Sequence, residues 1–223
     1  MSRFGFDKYF NLPDGQCIIK NCNSLFDCSE GDKEKTISYV FRDLRNDKLE
    51  VVLTKVVLLN EFYSTYLNSN PPRKIIEGET YPMDVVKMAH HILSWNQFNE
   101  YCFSTDPQKR FEAVEYIRRK PSEYRATYHK EAYSFATKYC CWHNPDCYPI
   151  VDSYSKGMLY YLNREFDFCK KSIRGKDLNN YPIFCHVYNA LQKYLSEKCA
   201  KQFGYRQLDK FLWYYGKNNG IVL

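Results

Sequence analysis

One aspartate lies where a helix is expected to begin, and its position suits chemistry as well as structure. Asp152 follows two prolines in "NPDCYPIVDSYSKGMLYYL", and the residues after it are apolar at helical spacing. A carboxylate at the start of a helix accepts hydrogen bonds from free backbone N–H groups. The same carboxylate could stabilise a developing cation or orient a water molecule. The sequence leaves both roles open for Asp152.

Three cysteines and a histidine close to this aspartate raise the question of a metal site. Cys140, Cys141, His143 and Cys147 do not have the spacing of zinc knuckles. Adjacent cysteines on a helix point about 100 degrees apart, which suits one metal ion poorly. We therefore predict packed thiols and no metal site.

No motif for nucleotide or nucleophile chemistry is visible. The sequence contains no phosphate-binding glycine loop, dinucleotide fingerprint or serine-nucleophile elbow. We expect no cofactor. His90 and His91 are adjacent, so we expect them to face different sides of a helix, one towards the core and one towards the surface.

The chain is rich in aromatic residues, with 21 tyrosines and 15 phenylalanines. Aromatic side chains supply both core packing and stacking surfaces. Trp142, His143, Tyr148 and Tyr154 could therefore line a pocket for a base, or they could pack in a core.

The spacing of apolar residues predicts a mainly helical protein. We expect a short irregular N-terminal extension over residues 1–34, in which "CIIK" could be a strand, and one helical domain over residues 35–223. Residues 168–180 are predicted to form a basic loop. Helices are predicted over residues 35–47, 48–67, 84–95, 107–119, 123–142, 153–163, 181–199 and 207–216.

Net charge and the lack of targeting signals limit the classes of function that we expect. The formal charge is +6, which weakly favours a polyanionic partner such as DNA. The amino terminus has no secretory signal, and no apolar run is long enough to span a bilayer. We expect a cytoplasmic protein without membrane association, and the oligomeric state stays open.

The segment around Asp152 resembles the helix-hairpin-helix DNA glycosylases, the superfamily of endonuclease III and the 8-oxoguanine glycosylases. The amphipathic "EAYSFATKYC", the connection "CWHNPDC" and "YPIVDSYS" follow one another as the equivalent segments do in that family. There, the aspartate of a "PVDTHV"-like segment begins a helix and faces the sugar of the extruded nucleotide. The resemblance implies that Asp152 is the catalytic aspartate and that Ser153 replaces the threonine.

The resemblance extends over about residues 50–217 and implies further DNA contacts. "VVLLNEFYSTYL" and "DVVKMAHHIL" look like the paired helices that open the glycosylase domain, where Ser64 and Thr65 would occupy the end that faces DNA. By the family spacing, Ser134 stands where bifunctional members carry a lysine, with Lys130 and Lys138 one helical turn away on either side. The family's four-cysteine iron–sulfur pattern is absent. Candidate DNA contacts are Ser64, Thr65, Lys130, Ser134, Lys138, Ser153, Tyr154 and Lys156, with Lys170, Lys171 and Arg174 as further phosphate contacts.

The resemblance therefore implies an all-α, helix-hairpin-helix glycosylase-like protein that binds DNA. With serine in place of the lysine, water would be the nucleophile, so we expect a monofunctional N-glycosylase that releases a base without strand cleavage. Two alternatives stay open. The chain could be a nucleic-acid-binding module without catalysis, or a helical protein-interaction module in which Asp152 is only a cap.

Overall fold

The computed structural model describes residues 31–63, 65, 67, 83–119 and 132–223. Within these ranges the protein forms nine α-helices and one 3₁₀ helix, and no strand. The prediction of an all-α fold is confirmed. The α-helices are α1 (Asp32–Asp43), α2 (Leu49–Tyr63), α3 (Met83–Leu93), α4 (Phe98–Cys102), α5 (Pro107–Arg118), α6 (Tyr133–His143), α7 (Ser153–Phe166), α8 (Tyr181–Cys199) and α9 (Tyr205–Asn218), and the 3₁₀ helix is Gly175–Asn179.

The described residues form two compact units that meet in sequence between Tyr148 and Pro149. We call residues 31–148 the amino-terminal unit and residues 149–223 the carboxy-terminal unit. The expectation of one helical domain over residues 35–223 stays a prediction, and the proposed extension and its "CIIK" strand lie almost wholly outside the described residues.

The amino-terminal unit is built around α6, which packs against α1, α2 and α5, while α2 also packs against α3. Its core is strongly aromatic. The ring of Tyr139 on α6 lies 5.3 Å from the ring of Phe41 on α1 and 5.6 Å from that of Phe98 on α4, both with edge-to-face geometry. Such pairs stabilise a core beyond the apolar area that they bury.

The carboxy-terminal unit packs α7 against α9, α8 and the 3₁₀ helix. Helices α7 and α9 approach each other closely at Gly216 of α9. A Cβ atom at this glycine would lie 2.9 Å from the Cβ of Tyr154 on α7, so no larger residue fits without movement. Asn180 caps the start of α8 by accepting a hydrogen bond from the backbone N–H of Ile183.

Most of the predicted helices are present, with shifted ends. The helix predicted to begin at residue 35 begins at Asp32, and α8 spans the predicted residues 181–199. Helix α4 was not predicted because five residues are too few to display a helical period. Part of the predicted basic loop forms the 3₁₀ helix. Among the described helices, none combines the length and the apolar character needed to cross a membrane.

Candidate nucleic-acid and catalytic site

Asp152 is the N-cap of α7. Its backbone is extended, and its Oδ1 accepts a hydrogen bond of 2.7 Å from the backbone N–H of Ser155. In return, the Ser155 hydroxyl accepts a bond of 2.9 Å from the Asp152 N–H, which completes a capping box. The hydrogen bond fixes the carboxylate of Asp152, and the residue is half-buried. No described residue donates a hydrogen bond to its other oxygen, Oδ2.

Three other predicted site residues share the first turn of α7 with Asp152. Ser153 is exposed, and its carbonyl accepts a hydrogen bond from the N–H of Leu223 at 3.1 Å. Tyr154 is half-buried, with its Cβ against α9. The Nζ of Lys156 donates to Asn179 Oδ1 at 2.9 Å, which ties α7 to the 3₁₀ helix. The carboxy-terminal unit therefore places Asp152, Ser153, Tyr154 and Lys156 together.

Ser134 and Lys138 lie on α6 in the amino-terminal unit. They are four residues apart, and Lys138 Nζ donates a hydrogen bond of 2.7 Å to Ser134 Oγ. Lys138 is only 7% exposed, and its Nζ lies 5.9 Å from the ring centre of Tyr63. The amine of Lys138 thus reaches back along α6 to Ser134.

The remaining predicted DNA contacts are only partly described. Thr65 follows α2 and is half-buried, and its hydroxyl lies 3.4 Å from Asn60 Oδ1. Ser64 and Lys130 lie outside the described residues. Lys170, Lys171 and Arg174 are exposed, and Arg174 pairs with Asp177 at 3.0 Å. Their role in DNA binding stays a prediction.

The aromatic side chains near Asp152 in sequence pack mainly in a core. Trp142 and His143 are each 8% exposed. Tyr148 is fully buried and donates its hydroxyl to the Cys102 carbonyl at 2.9 Å. Of the four proposed pocket residues, only Tyr154 keeps substantial exposure, so the packing alternative holds for the other three.

The two adjacent histidines behave as expected. His90 is exposed, whereas His91 is half-buried. The His91 Nε2 lies 2.9 Å from the carbonyl oxygen of Tyr116, and the two rings stack at 4.3 Å. This contact fixes α3 to α5, so we assign His91 to packing.

The cysteines near Asp152 in sequence lie on α6 and in the connection that follows it. Cys140 and Cys141 are buried, while Cys147 has intermediate exposure. In the described ranges, no group of three or more histidine, cysteine, aspartate or glutamate side chains is arranged to hold a metal ion.

A buried lysine in the amino-terminal unit was missed by the sequence analysis. Lys55 on α2 is 0% exposed, and its Nζ donates to the Leu44 carbonyl at 2.6 Å and to Asn46 Oδ1 at 2.7 Å. The Asn46 amide nitrogen in turn lies 3.1 Å from His143 Nε2 and donates to it, since an amide nitrogen cannot accept. These bonds join α2, the α1–α2 connection and α6. A sequence signal was present, because Lys55 lies three residues after the buried Val52 and four residues before the buried Leu59.

Burial shifts the proton affinities of this network. Desolvation lowers the pKa of Lys55 to about 8, although the negative charge of Asp47 opposes the shift. Burial also holds the pKa of His143 well below its ordinary value, and the charge of Lys55 adds to the effect. The network therefore holds α2, the α1–α2 connection and α6 together, and its charge changes under alkaline conditions as Lys55 loses a proton.

The net positive charge of the chain lies in residues 149–223. Residues 149–223 contain 12 lysines and arginines and 6 aspartates and glutamates, a net charge of +6 that equals that of the whole chain. Residues 1–148 are formally neutral. Counting charges by segment would have revealed this asymmetry from the sequence alone. Asp152 therefore lies in the unit that carries the net positive charge.

Comparison with known proteins assigns the first part of the chain. Residues 18–147 match the family HI_0787_N, which is described as an N-terminal domain, and this match covers more than half of the chain. The chain belongs to this family. The HI_0787_N match ends at Cys147, next to the boundary between the two units. It includes Ser134 and Lys138 but not Asp152.

One curated relative and the solved structures add little about chemistry. A Haemophilus influenzae protein, described as an uncharacterized protein, is 32% identical over 150 residues. The alignment covers 67% of this chain and 65% of the relative, so the chain spans slightly less than two thirds of the relative's length. No solved structure gives a significant match.

Proposed function

We propose that this protein binds DNA and excises a modified base as a monofunctional N-glycosylase of the helix-hairpin-helix type. The observation that carries the proposal is the geometry of Asp152. One carboxylate oxygen is fixed by the helix cap, and no described residue donates to the other, so a half-buried negative charge is held in place and can face a ligand.

The charge distribution supports DNA as the ligand. The net charge of +6 lies in the unit that carries Asp152, and the first turn of the same helix carries Lys156. Lysines and arginines near a phosphate backbone release condensed counterions, which favours binding and makes it depend on salt. Binding to a duplex should therefore weaken steeply as the salt concentration rises.

The proposed chemistry requires a charge on the carboxylate. A base must first be rotated out of the duplex, at a cost of a few kcal/mol that protein contacts must offset. Departure of the base leaves positive charge on the sugar. The carboxylate of Asp152 would stabilise this charge and orient the attacking water. Asn at this position would keep the cap but not the charge.

We assign the nucleophile to water because the resemblance to the helix-hairpin-helix glycosylases would place Ser134 where bifunctional members carry a lysine. A covalent protein–DNA adduct trapped by borohydride would contradict this assignment. Lys138 would then be the first amine to replace, because its Nζ lies 2.7 Å from Ser134 Oγ. Lys138→Gln tests this directly.

A binding module without catalysis is the second candidate. Its supporting observation is that Asp152 already has a structural role in the capping box, which could account for its presence without chemistry. Both candidates predict salt-dependent DNA binding, but only the first predicts the release of a base.

A screen of duplexes that each carry one modified base separates these functions. The leading proposal predicts free base from at least one duplex, an intact abasic strand before alkaline treatment, and no release by Asp152→Asn. Duplex binding without base release from any member of the screen would leave the binding module. Absence of duplex binding at low salt would exclude both and favour a helical interaction module.

A further inference from the structure

Helix α9 presents a stripe of basic and aromatic residues on its outward side. Arg206, Lys210, Trp213 and Lys217 recur at intervals of four, three and four residues, so they share one face of the helix. Trp213 is 42% exposed, and the adjacent Tyr214 is 41% exposed. The stripe extends about 17 Å along the helix at 1.5 Å per residue.

The opposite face of α9 explains why the stripe points outward. That face packs within the carboxy-terminal unit, and its buried residues are Leu208, Phe211, Leu212, Tyr215 and Gly216. Its register is fixed at Gly216, where a Cβ atom would lie 2.9 Å from the Cβ of Tyr154. The helix therefore cannot rotate to bury Trp213 without losing this close packing.

The stripe combines two kinds of recognition chemistry. The Nζ of Lys217 lies 4.6 Å from the centre of the Trp213 ring, so a positive charge stands beside a flat apolar surface. Proteins that bind single-stranded nucleic acid use this combination, because bases stack on aromatic rings while cations attract the phosphates. Paired bases in a duplex offer no exposed ring face, whereas an unpaired strand does.

We propose that the outward face of α9 binds a single-stranded nucleic-acid segment, with Trp213 stacking on one base and Arg206, Lys210 and Lys217 near the phosphates. The occupant is inferred from charge complementarity, since this unit carries the whole net charge of +6. The proposal rests on nucleic acid being the ligand, as in the proposed function, but it does not require Asp152 to be catalytic. It adds a second contact surface for a displaced or unpaired strand.

Binding of a labelled thymidine oligonucleotide of about 12 nucleotides tests the proposal, since single-strand sites span roughly 4–16 nucleotides. Trp213→Ala should weaken binding by about tenfold or more, whereas Trp213→Phe retains a ring and should recover most of the affinity. The matched control is Tyr39→Ala, because Tyr39 is 58% exposed but lies on α1 in the other unit. This control should leave the affinity unchanged.

Fluorescence and salt dependence give independent readouts. Trp142 is buried and Trp95 stacks on Tyr116 at 4.4 Å, so quenching by the oligonucleotide should come mainly from Trp213. The double variant Lys210→Gln with Lys217→Gln should flatten the plot of log affinity against log salt by about 1.4, or 0.7 for each cation.

Three results would overturn the proposal. The first is that the oligonucleotide does not bind at low salt. The second is that Trp213→Ala binds it with wild-type affinity. The third is that phosphatidylserine vesicles quench the fluorescence of Trp213 and the oligonucleotide does not. Measuring base release on duplexes with the same variants keeps the two proposals apart. Trp213→Ala that loses strand binding supports the α9 surface even if no duplex releases a base.

Discussion

The buried amine of Lys55 predicts an unusual rise in stability with pH. Desolvation lowers its pKa in the folded protein from 10.5, the ordinary value, to about 8. Between these two values the unfolded chain binds a proton that the folded protein has released. Raising the pH therefore favours the folded state, in contrast to a lysine in an ion pair, whose stabilising effect is lost at high pH.

The size of the effect follows from the two pKa values. Between about pH 7 and about pH 9.5, the free energy of unfolding should rise by ~2 kcal/mol on account of Lys55 alone. The neutral amine has two N–H groups, which match its two acceptors, Leu44 O and Asn46 Oδ1. Loss of the proton therefore removes the cost of a buried charge without breaking these hydrogen bonds.

Burial also shifts the pKa values of other groups near Lys55. Burial holds the pKa of His143 well below its ordinary value, and burial raises the pKa of Tyr139 well above its own. Burial raises the pKa of the Cys140 thiol well above its ordinary value of 9.0, which lies inside the window. At about pH 9.5 the unfolded chain therefore loses a thiol proton that the folded protein keeps, so Cys140 opposes the effect of Lys55. Cys140 is the same in the wild type and in a Lys55 variant, so its contribution cancels in the difference between the two proteins.

Urea unfolding of the wild type and of Lys55→Met at several pH values measures the effect. Methionine has a similar length but cannot titrate, so the difference in the free energy of unfolding between the two proteins isolates Lys55. We expect this difference to shift in favour of the wild type by ~2 kcal/mol across the window. A difference that stays constant with pH, or that shifts towards the variant, would refute the assignment of a buried amine with a lowered pKa.

Three further changes test the carboxy-terminal unit by thermal unfolding. Asp152→Ala should cost about 1 kcal/mol through loss of the helix cap while Asp152→Asn costs much less, and equal losses would contradict the capping geometry. Ala200 follows the end of α8 with a φ of 47°, a left-handed conformation that glycine adopts at lower cost. Ala200→Gly should therefore stabilise the protein by about 1 kcal/mol. A loss of stability would contradict the left-handed conformation. Gly216→Ala should destabilise the protein by about 1–3 kcal/mol because the new Cβ atom would meet Tyr154. Gly31→Ala should be nearly neutral, because no atom of the described residues beyond its chain neighbours lies within 4 Å of the position of its Cβ. Equal effects of the two substitutions would contradict the close approach of α7 and α9 at Gly216.

The helices could be predicted because their ends and faces are encoded locally. Pro107 follows a capping aspartate at the start of α5, and Asn180 precedes the proline at the start of α8, so these starts were predicted at the observed residues. Helix α4 and the 3₁₀ helix are too short to display a period, and tertiary packing decides whether such segments form.

The candidate site could be predicted only in part. A capping aspartate is a local feature, and the N-cap role of Asp152 followed from its place before a helical pattern, whereas its capping box with Ser155 was not predicted. The bond between Lys138 and Ser134 also follows from their spacing of four residues, but the deep burial of Lys138 does not, because it depends on helices distant in sequence. The same applies to Lys55, because its acceptor Asn46 is bonded to His143 on α6, which is distant in sequence.

The most direct test of the proposed function is the same substitution at two capping aspartates. Asp106 caps α5 as Asp152 caps α7, accepting a hydrogen bond from the backbone N–H of Gln108 at 2.9 Å. Base release from a duplex on which the wild type is active is measured in single turnover for Asp152→Asn and Asp106→Asn, with duplex binding measured alongside. The proposal predicts a loss of about 100-fold or more in Asp152→Asn, unchanged release in Asp106→Asn and similar DNA binding in both. Release by Asp152→Asn at the wild-type rate would contradict the catalytic role of this carboxylate.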